Sequence, residues 1–201
     1  MTNEENSLIS LEDFKALMGV DDRDDKIARF CLVTASLSIE QYCKRKFLRK
    51  QYFENFKLSG SLVLPLKEYP VSEILLVSAF SGERYTQENG RLIELEFYRP
   101  MVGNGYNEEM IFELLLSSSV RLYEYSFVNV NYIAGYERGS VPEDLSAACL
   151  ELSSWNFNRY KGKRIGMSGN IKGAGVQGEH FELSMPENVK VLIEPYRRKT
   201  I

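Results

Sequence analysis

The chain has 201 residues, of which 44% are hydrophobic and 26% charged, a composition that fits one elaborated globular domain or two small ones. A formal net charge of −3 excludes the basic excess expected of a dedicated nucleic-acid binder. The opening MTNEENSLIS is polar and acidic, unlike a secretion signal, and no apolar run is long enough to span a bilayer, so a cytoplasmic site of synthesis is expected.

Residues 1–9 read as a flexible tail. Ser10 and Asp13 have capping-box spacing, with Asp in place of Glu or Gln, and open a short helix over 11–18. Leu11, Phe14, Leu17 and Met18 form its predicted apolar face, and Gly19 is a suitable stop. A longer helix is predicted over 24–46. Asp22, Asp24 and Asp25 at its start, and Lys44, Arg45 and Lys46 at its end, complement the helix dipole. Its predicted buried stripe is Ile27, Phe30, Cys31, Thr34, Leu37 and Gln41/Tyr42. Ala28, Ala35, Ser36 and Ser38 keep the helix slim enough for close packing.

Beyond residue 50 the helical period disappears and short β-rich runs alternate with Gly, Pro and Asn. Strands are predicted over 52–58, 62–66, 74–80, 84–86, 92–97, 111–116 and 120–134. Gln87-Glu88-Asn89-Gly90 is a hairpin turn, since Asn-Gly tolerates the positive φ required there. In the last strand Val128, Val130, Tyr132 and Ala134 share one face, and Asn129, Asn131 and Ile133 the other. Residues 99–107, with Pro100, Gly103 and Gly105, read as an exposed loop.

Val141 and Pro142 begin a third long helix reaching about residue 160, with Leu145, Ala148, Cys149, Leu152 and Trp155 as its stripe. Six glycines within 162–178 suggest a mobile loop. Ser184 and Glu187 repeat the capping signal, with Pro186 just inside, and a short helix to Ile193 follows. Pro195 ends it, leaving the basic Tyr196-Arg197-Arg198-Lys199.

Little in the sequence supports catalysis. The single histidine, His180, lacks a nucleophile elbow and lies beside the glycine-rich loop. Gly173-Ala174-Gly175-Val176-Gln177-Gly178 matches a dinucleotide fingerprint literally, but no strand precedes it and no second βαβ half follows. Asp21 to Asp25 lacks the alternating ligands and glycine of a calcium loop and reads as an acidic helix start. Lys44 to Lys50 reads as a solvated helix end, and Tyr123, Tyr125 and Phe127 as packing on a strand rather than base-stacking. Cys31, Cys43 and Cys149 form no CxxC pair, and Cys31 and Cys149 read as buried free thiols. No catalytic, cofactor-binding or metal-ligating residue is expected.

Four stretches, in order, resemble tailed-phage head–tail connector proteins. ISLEDFKALMGVDDRDDKIARFCLVTASLSIEQYCKRKF is similar to the family's N-terminus, matching at Asp21 to Asp25, Ile39-Glu40, Tyr42 and Lys44 to Lys46. YPVSEILLV resembles its Tyr-Pro-Val strand, VNYIAGYERGSVPEDLSAACLELSSWNF its strand-to-helix junction, and MPENVKVLIEPYRR its C-terminal helix and Tyr-Arg ending. Residues 80–120 are longer than in compact members. The resemblance implies an α+β fold, a small bundle of about four helices with an inserted antiparallel β-rich region. It implies one connector domain over 1–201, helical over 10–50 and 141–201 and β-rich over 51–140. It implies a non-enzymatic adaptor without cofactor, in a homo-oligomeric ring, dodecameric in the particle. The ring would sit in the virion neck, after assembly in the host cytoplasm. Its partners would be portal and tail-completion proteins, with DNA passing through without specific binding and no membrane contact. Tyr196, Arg197, Arg198 and Lys199 are the expected partner interface, since an aromatic and two guanidinium groups suit an interface anchor. An alternative is a small β-rich recognition or baseplate module that binds a surface ligand.

Overall fold

Helices from both ends of the chain form one compact unit, Met1–Arg45 with Ser140–Ile201, and the strands between them form another, Lys46–Gly139. A computed structural model describes residues 6–58, 63–81, 90–92, 98–102, 111–116, 125–162 and 185–198. Among the described residues the fold is α+β, four α-helices with antiparallel sheets, as the sequence implies. The strands expected over 84–86 and 93–97, the turn residues 87–89, and the glycine-rich loop from 163 onward lie outside the described residues.

In the helical unit, α1 is Leu11–Met18. The Ser10 hydroxyl oxygen accepts the Asp13 amide at 3.0 Å, which caps the helix, and the hydroxyl donates to the Asp13 carboxylate at 2.6 Å in place of the backbone bond of a full capping box. Gly19 closes the helix in the left-handed region at φ 63°. Leu11 and Phe14 are buried, whereas Leu17 and Met18 are exposed, contrary to the expected single face. The helix has about two turns, and only the first joins the cluster of Ala28, Cys31, Leu32 and Phe157.

Helix α2, Asp25–Cys43, follows a 3-10 turn at Asp22–Asp24. Its buried face carries Ala28, Cys31, Leu32, Ala35, Ser36, Ile39 and Cys43. Phe30 and Leu37, expected in the stripe, are 41% and 47% exposed. The small residues are therefore the centre of the buried face, where they let α3, Glu143–Lys161, approach closely. Ser36 Oγ donates to the Leu32 carbonyl at 2.9 Å and lies 3.3 Å from Cys149 Sγ. It also accepts the Leu8 amide at 3.0 Å, so Ser7 and Leu8 are buried rather than part of a loose tail. On α3, Leu145, Ala148, Cys149, Leu152 and Phe157 are buried, and Trp155 is only half-buried. Helix α4, Glu187–Ile193, buries Val189 and Ile193. Pro142 and Pro186 have extended ψ of 142° and 143° and occupy the N-cap rather than the first helical position. Ser184 lies outside the described residues.

The other unit has strands β1 (Lys50–Lys57), β2 (Val63–Pro65), β3 (Val71–Phe80), β4 (Gly90–Leu92), β5 (Tyr98–Val102), β6 (Ile111–Leu116) and β7 (Phe127–Ala134). They form two antiparallel sheets, ordered β1-β7-β3-β4 and β2-β6-β5. Val128, Val130, Tyr132 and Ala134 point into a core shared with Val77, Ala79, Leu64, Leu66 and Leu116, as the alternation in β7 predicts. Opposite them, Asn129 donates an amide bond to Asn55 and Gln51 one to Asn131, both at 2.8 Å. Strand β5 stands where a loop was expected over 99–107; residues 103–107 lie outside the described residues. Pro100 is tolerated because β5 is the edge of its sheet.

The first and last stretches of this unit are paired to each other. The Tyr136 amide donates to the Phe47 carbonyl at 2.7 Å, and the Arg49 amide to the Tyr136 carbonyl at 2.9 Å. Gly135, at φ 102°, brings the strands together; a Cβ there would lie 2.6 Å from the Leu48 carbonyl carbon and oxygen.

Candidate docking surface

The C-terminal residues expected to meet a partner follow α4 in a 3-10 turn, Glu194–Tyr196. Pro195 thus stops the α-helix but leaves the chain turning against its own unit. The Tyr196 hydroxyl donates to Asp144 Oδ1 at 2.6 Å, tying the segment to the first turn of α3. The Arg198 amide donates to the Cys43 carbonyl at 2.9 Å, at the end of α2. Arg197 pairs with Glu194 at 3.4 Å, and its guanidinium carbon lies 5.3 Å from the Tyr42 ring centroid. Tyr196, Arg197 and Arg198 are therefore gathered on one surface with Tyr42 and Glu194, and Lys199 lies outside the described residues.

Tyr42 and Glu194 join this surface to α2. The Tyr42 hydroxyl donates to Glu194 Oε2 at 2.7 Å. That hydrogen bond raises the Tyr42 phenol above its ordinary pKa and holds the Glu194 carboxyl below its own. Sequence reading places Tyr42 in a helix stripe and in the connector-like N-terminal pattern, and does not single out Glu194. A pair separated by 152 positions leaves no local signal.

Above this surface, α2 ends at Lys44, whose φ of 56° is left-handed. The Lys44 and Arg45 amides donate to the Gln41 and Glu40 carbonyls at 3.3 and 3.2 Å, a Schellman closure with lysine where glycine is usual. Of the basic run, Lys44, Lys46, Arg49 and Lys50 are exposed as expected, whereas Arg45 is buried with Phe47 and Leu48. The Lys46 amide donates to Glu68 at 2.6 Å, and Arg49 pairs with Glu137.

The acidic stretch before α2 is consumed by ion pairs. Lys15 bonds Asp22 and, at 2.7 Å, Asp25; Lys161 bonds Asp24 at 2.7 Å; Arg23 bonds Asp21 at 3.0 Å. The Asp22 bond lifts the Lys15 ammonium above its ordinary range, and Lys15 holds the Asp22 carboxyl below its own. Among the described residues no group of His, Cys, Asp and Glu could hold a metal. All three cysteines are free and buried; burial pushes the Cys31 and Cys43 thiols up to about 12 and raises that of Cys149. Thiols so shifted carry little thiolate and make poor nucleophiles. His180 and Gly173 to Gly178 lie outside the described residues.

No protein-family model and no curated protein matches the chain. Solved structures do resemble it. A chain in the neck of an empty GTA particle computed with C6 symmetry superposes with a TM-score of 0.63 and 14% identity, covering 100% of this chain and 94% of that one. A chain in the virion of a native gene transfer agent (GTA) particle gives 0.61 and 14%, covering 96% and 91%. A chain in the neck of a native GTA particle computed with C12 symmetry gives 0.59 and 13%, covering 100% and 93%. At such identities the likeness is one of fold, and it spans both the helical and the β-rich units.

Proposed function

We propose that the chain is a structural subunit of the neck of a phage-like particle, one copy in a ring that joins portal to tail and continues the DNA channel. The observation that carries this reading is the end-to-end fold likeness to a chain in a GTA neck, with 94% of that chain covered. The four connector-like sequence stretches support it as well. Necks computed with C6 and C12 symmetry favour a cyclic arrangement, with twelve copies in the particle. The net charge of −3 suits a channel that lets DNA slide, because each phosphate contact would add affinity. The role is structural, with no cofactor. Portal and tail-completion proteins are the partners, and the surface carrying Tyr196, Arg197 and Arg198 faces portal.

Native mass spectrometry and add-back to DNA-filled heads made without this chain test the reading together. A cyclic oligomer that binds the heads and restores tail joining is expected. A chain that stays monomeric, alone and with heads, and restores nothing overturns it.

A further inference from the structure

Among the described residues the two sheets end in the edge strands β1 and β4, and β2 and β5. Three of these are poor templates for a further strand. β2 has three residues and ends in Pro65, and β4 has three and begins at Gly90. β5 carries Pro100, which has no amide to donate, and its register shifts between Met101 and Val102. β1 has none of these devices. It runs for eight residues without proline or glycine, and its register with β7 is unbroken from Lys50 to Lys57.

The inward face of β1 fixes it in place. Tyr52 and Phe56 pack on the sheet core, and Glu54 between them is buried, accepting the Tyr132 hydroxyl and the Lys67 amide. On the outward face Gln51 and Asn55 are tied back to Asn131 and Asn129 of β7. Phe53 stands between them, 67% exposed, and Lys57 ends the row without an ion pair to any described residue. In an edge strand alternate residues turn their backbone N–H and C=O groups away from the sheet, and an extended chain is the partner whose own groups match such a row. A second copy's sheets do not supply it. Their β2, β4 and β5 edges are blunted, and β1 against β1 over its full length sets Lys50 opposite Lys57 at both ends. That pairing is also two-fold, and a two-fold contact closes a dimer rather than a ring.

The surface given to portal, Tyr196 to Arg198, belongs to the helical unit, which leaves the β1 edge for the partner on the tail side. We infer that this edge accepts an extended segment of the tail-side partner as an antiparallel fifth strand of its sheet. The inference rests on the ring reading above and names the surface through which the ring holds the tail. Residues opposite one another in a strand pair share a face, so the segment carries a carboxylate to meet Lys57 and, four residues later, an apolar side chain to cover Phe53.

Hydrogen–deuterium exchange of the 50–57 amides tests it, measured on the free chain, on the chain assembled on tail-less heads and on complete particles. Exchange is expected to be the same in the first two and to slow roughly tenfold or more in the third, as the outward amides gain partners. Phe53→Lys, with an unchanged circular-dichroism spectrum, is expected to join heads normally and to lower tail joining by roughly tenfold or more, because a lysine on an open edge opposes strand addition. Protection already present on tail-less heads would give the edge to a second copy or to portal and overturn the inference. Exchange that never slows, with normal tail joining by Phe53→Lys, overturns it too and leaves the ring reading standing. If the wild-type chain never assembles, alone or on heads, both fall.

Discussion

Gly135 has no freedom to be anything else. Its φ of 102° is unfavourable for any residue with a Cβ, and that Cβ would stand 2.6 Å from the backbone of Leu48. Gly135→Ala is expected to destabilise the chain by at least ~2 kcal/mol, read from the urea midpoint. A second single-residue dependence lies inside the sheet. Glu54 is 7% exposed, accepts the Tyr132 hydroxyl and, at 2.9 Å, the Lys67 amide, and Tyr132 in turn accepts the Glu68 amide at 3.1 Å. Burial, with the carboxylate beside it, pushes the Tyr132 phenol well up, so it stays a donor at neutral pH. Because that pKa is raised by folding, the contribution is full below the ordinary tyrosine range and fades only as pH rises beyond it. Tyr132→Phe removes a donor from a buried carboxylate and an acceptor from an amide, and should cost about 1–3 kcal/mol in urea unfolding. The inward face of Tyr132 was legible from alternation, but the burial of Glu54 was not. A glutamate gives no sign of burial by its own chemistry, and its partners arrive only through the register that sets Tyr52 opposite Tyr132.

Helix positions were legible because caps and dipoles are local: α1 has the bounds expected of it, and α2 and α3 begin and end within a few residues of expectation. Which face of α2 is buried was not. Hydrophobicity favours Phe30 and Leu37, but close helix packing is decided by Ala28, Ala35 and Ser36, so the bulky residues turn outward. Strand β5 was missed because Pro100 speaks against a strand unless an edge position is known in advance. The tethers that fold the C-terminal segment back onto its unit were not legible, since they reach Asp144, Cys43 and Tyr42 far away in sequence. Deleting 195–201 keeps the buried Val189 and Ile193, so the truncated chain should fold. It should melt a few degrees lower for the lost Asp144 and Cys43 bonds, and fail to join portal. Acid should loosen the same surface. Glu194 has a folded pKa below its unfolded one, so its contribution is present above the ordinary carboxylate range and is lost as pH falls through the lower folded value.

At the scale of the whole chain, the β-rich unit, Lys46–Gly139, is placed between two halves of a helical one, so its ends have to return to each other. The Phe47–Tyr136 and Arg49–Tyr136 bonds and the Leu48–Tyr136 bridge make that return inside the unit itself. Its core of Val77, Val128, Val130, Tyr132, Leu64 and Leu116 is likewise drawn from its own strands. A unit that closes its own base and fills its own core needs no outside contact to fold. The excised segment 46–139 is therefore expected to give a β-type circular-dichroism spectrum and a single cooperative urea transition. Gly135→Ala should abolish that transition in the isolated segment, because the Leu48 contact it breaks lies within the segment. A non-cooperative, unfolded 46–139 would mean that the strands depend on the helices for their stability, despite carrying their own core and closure.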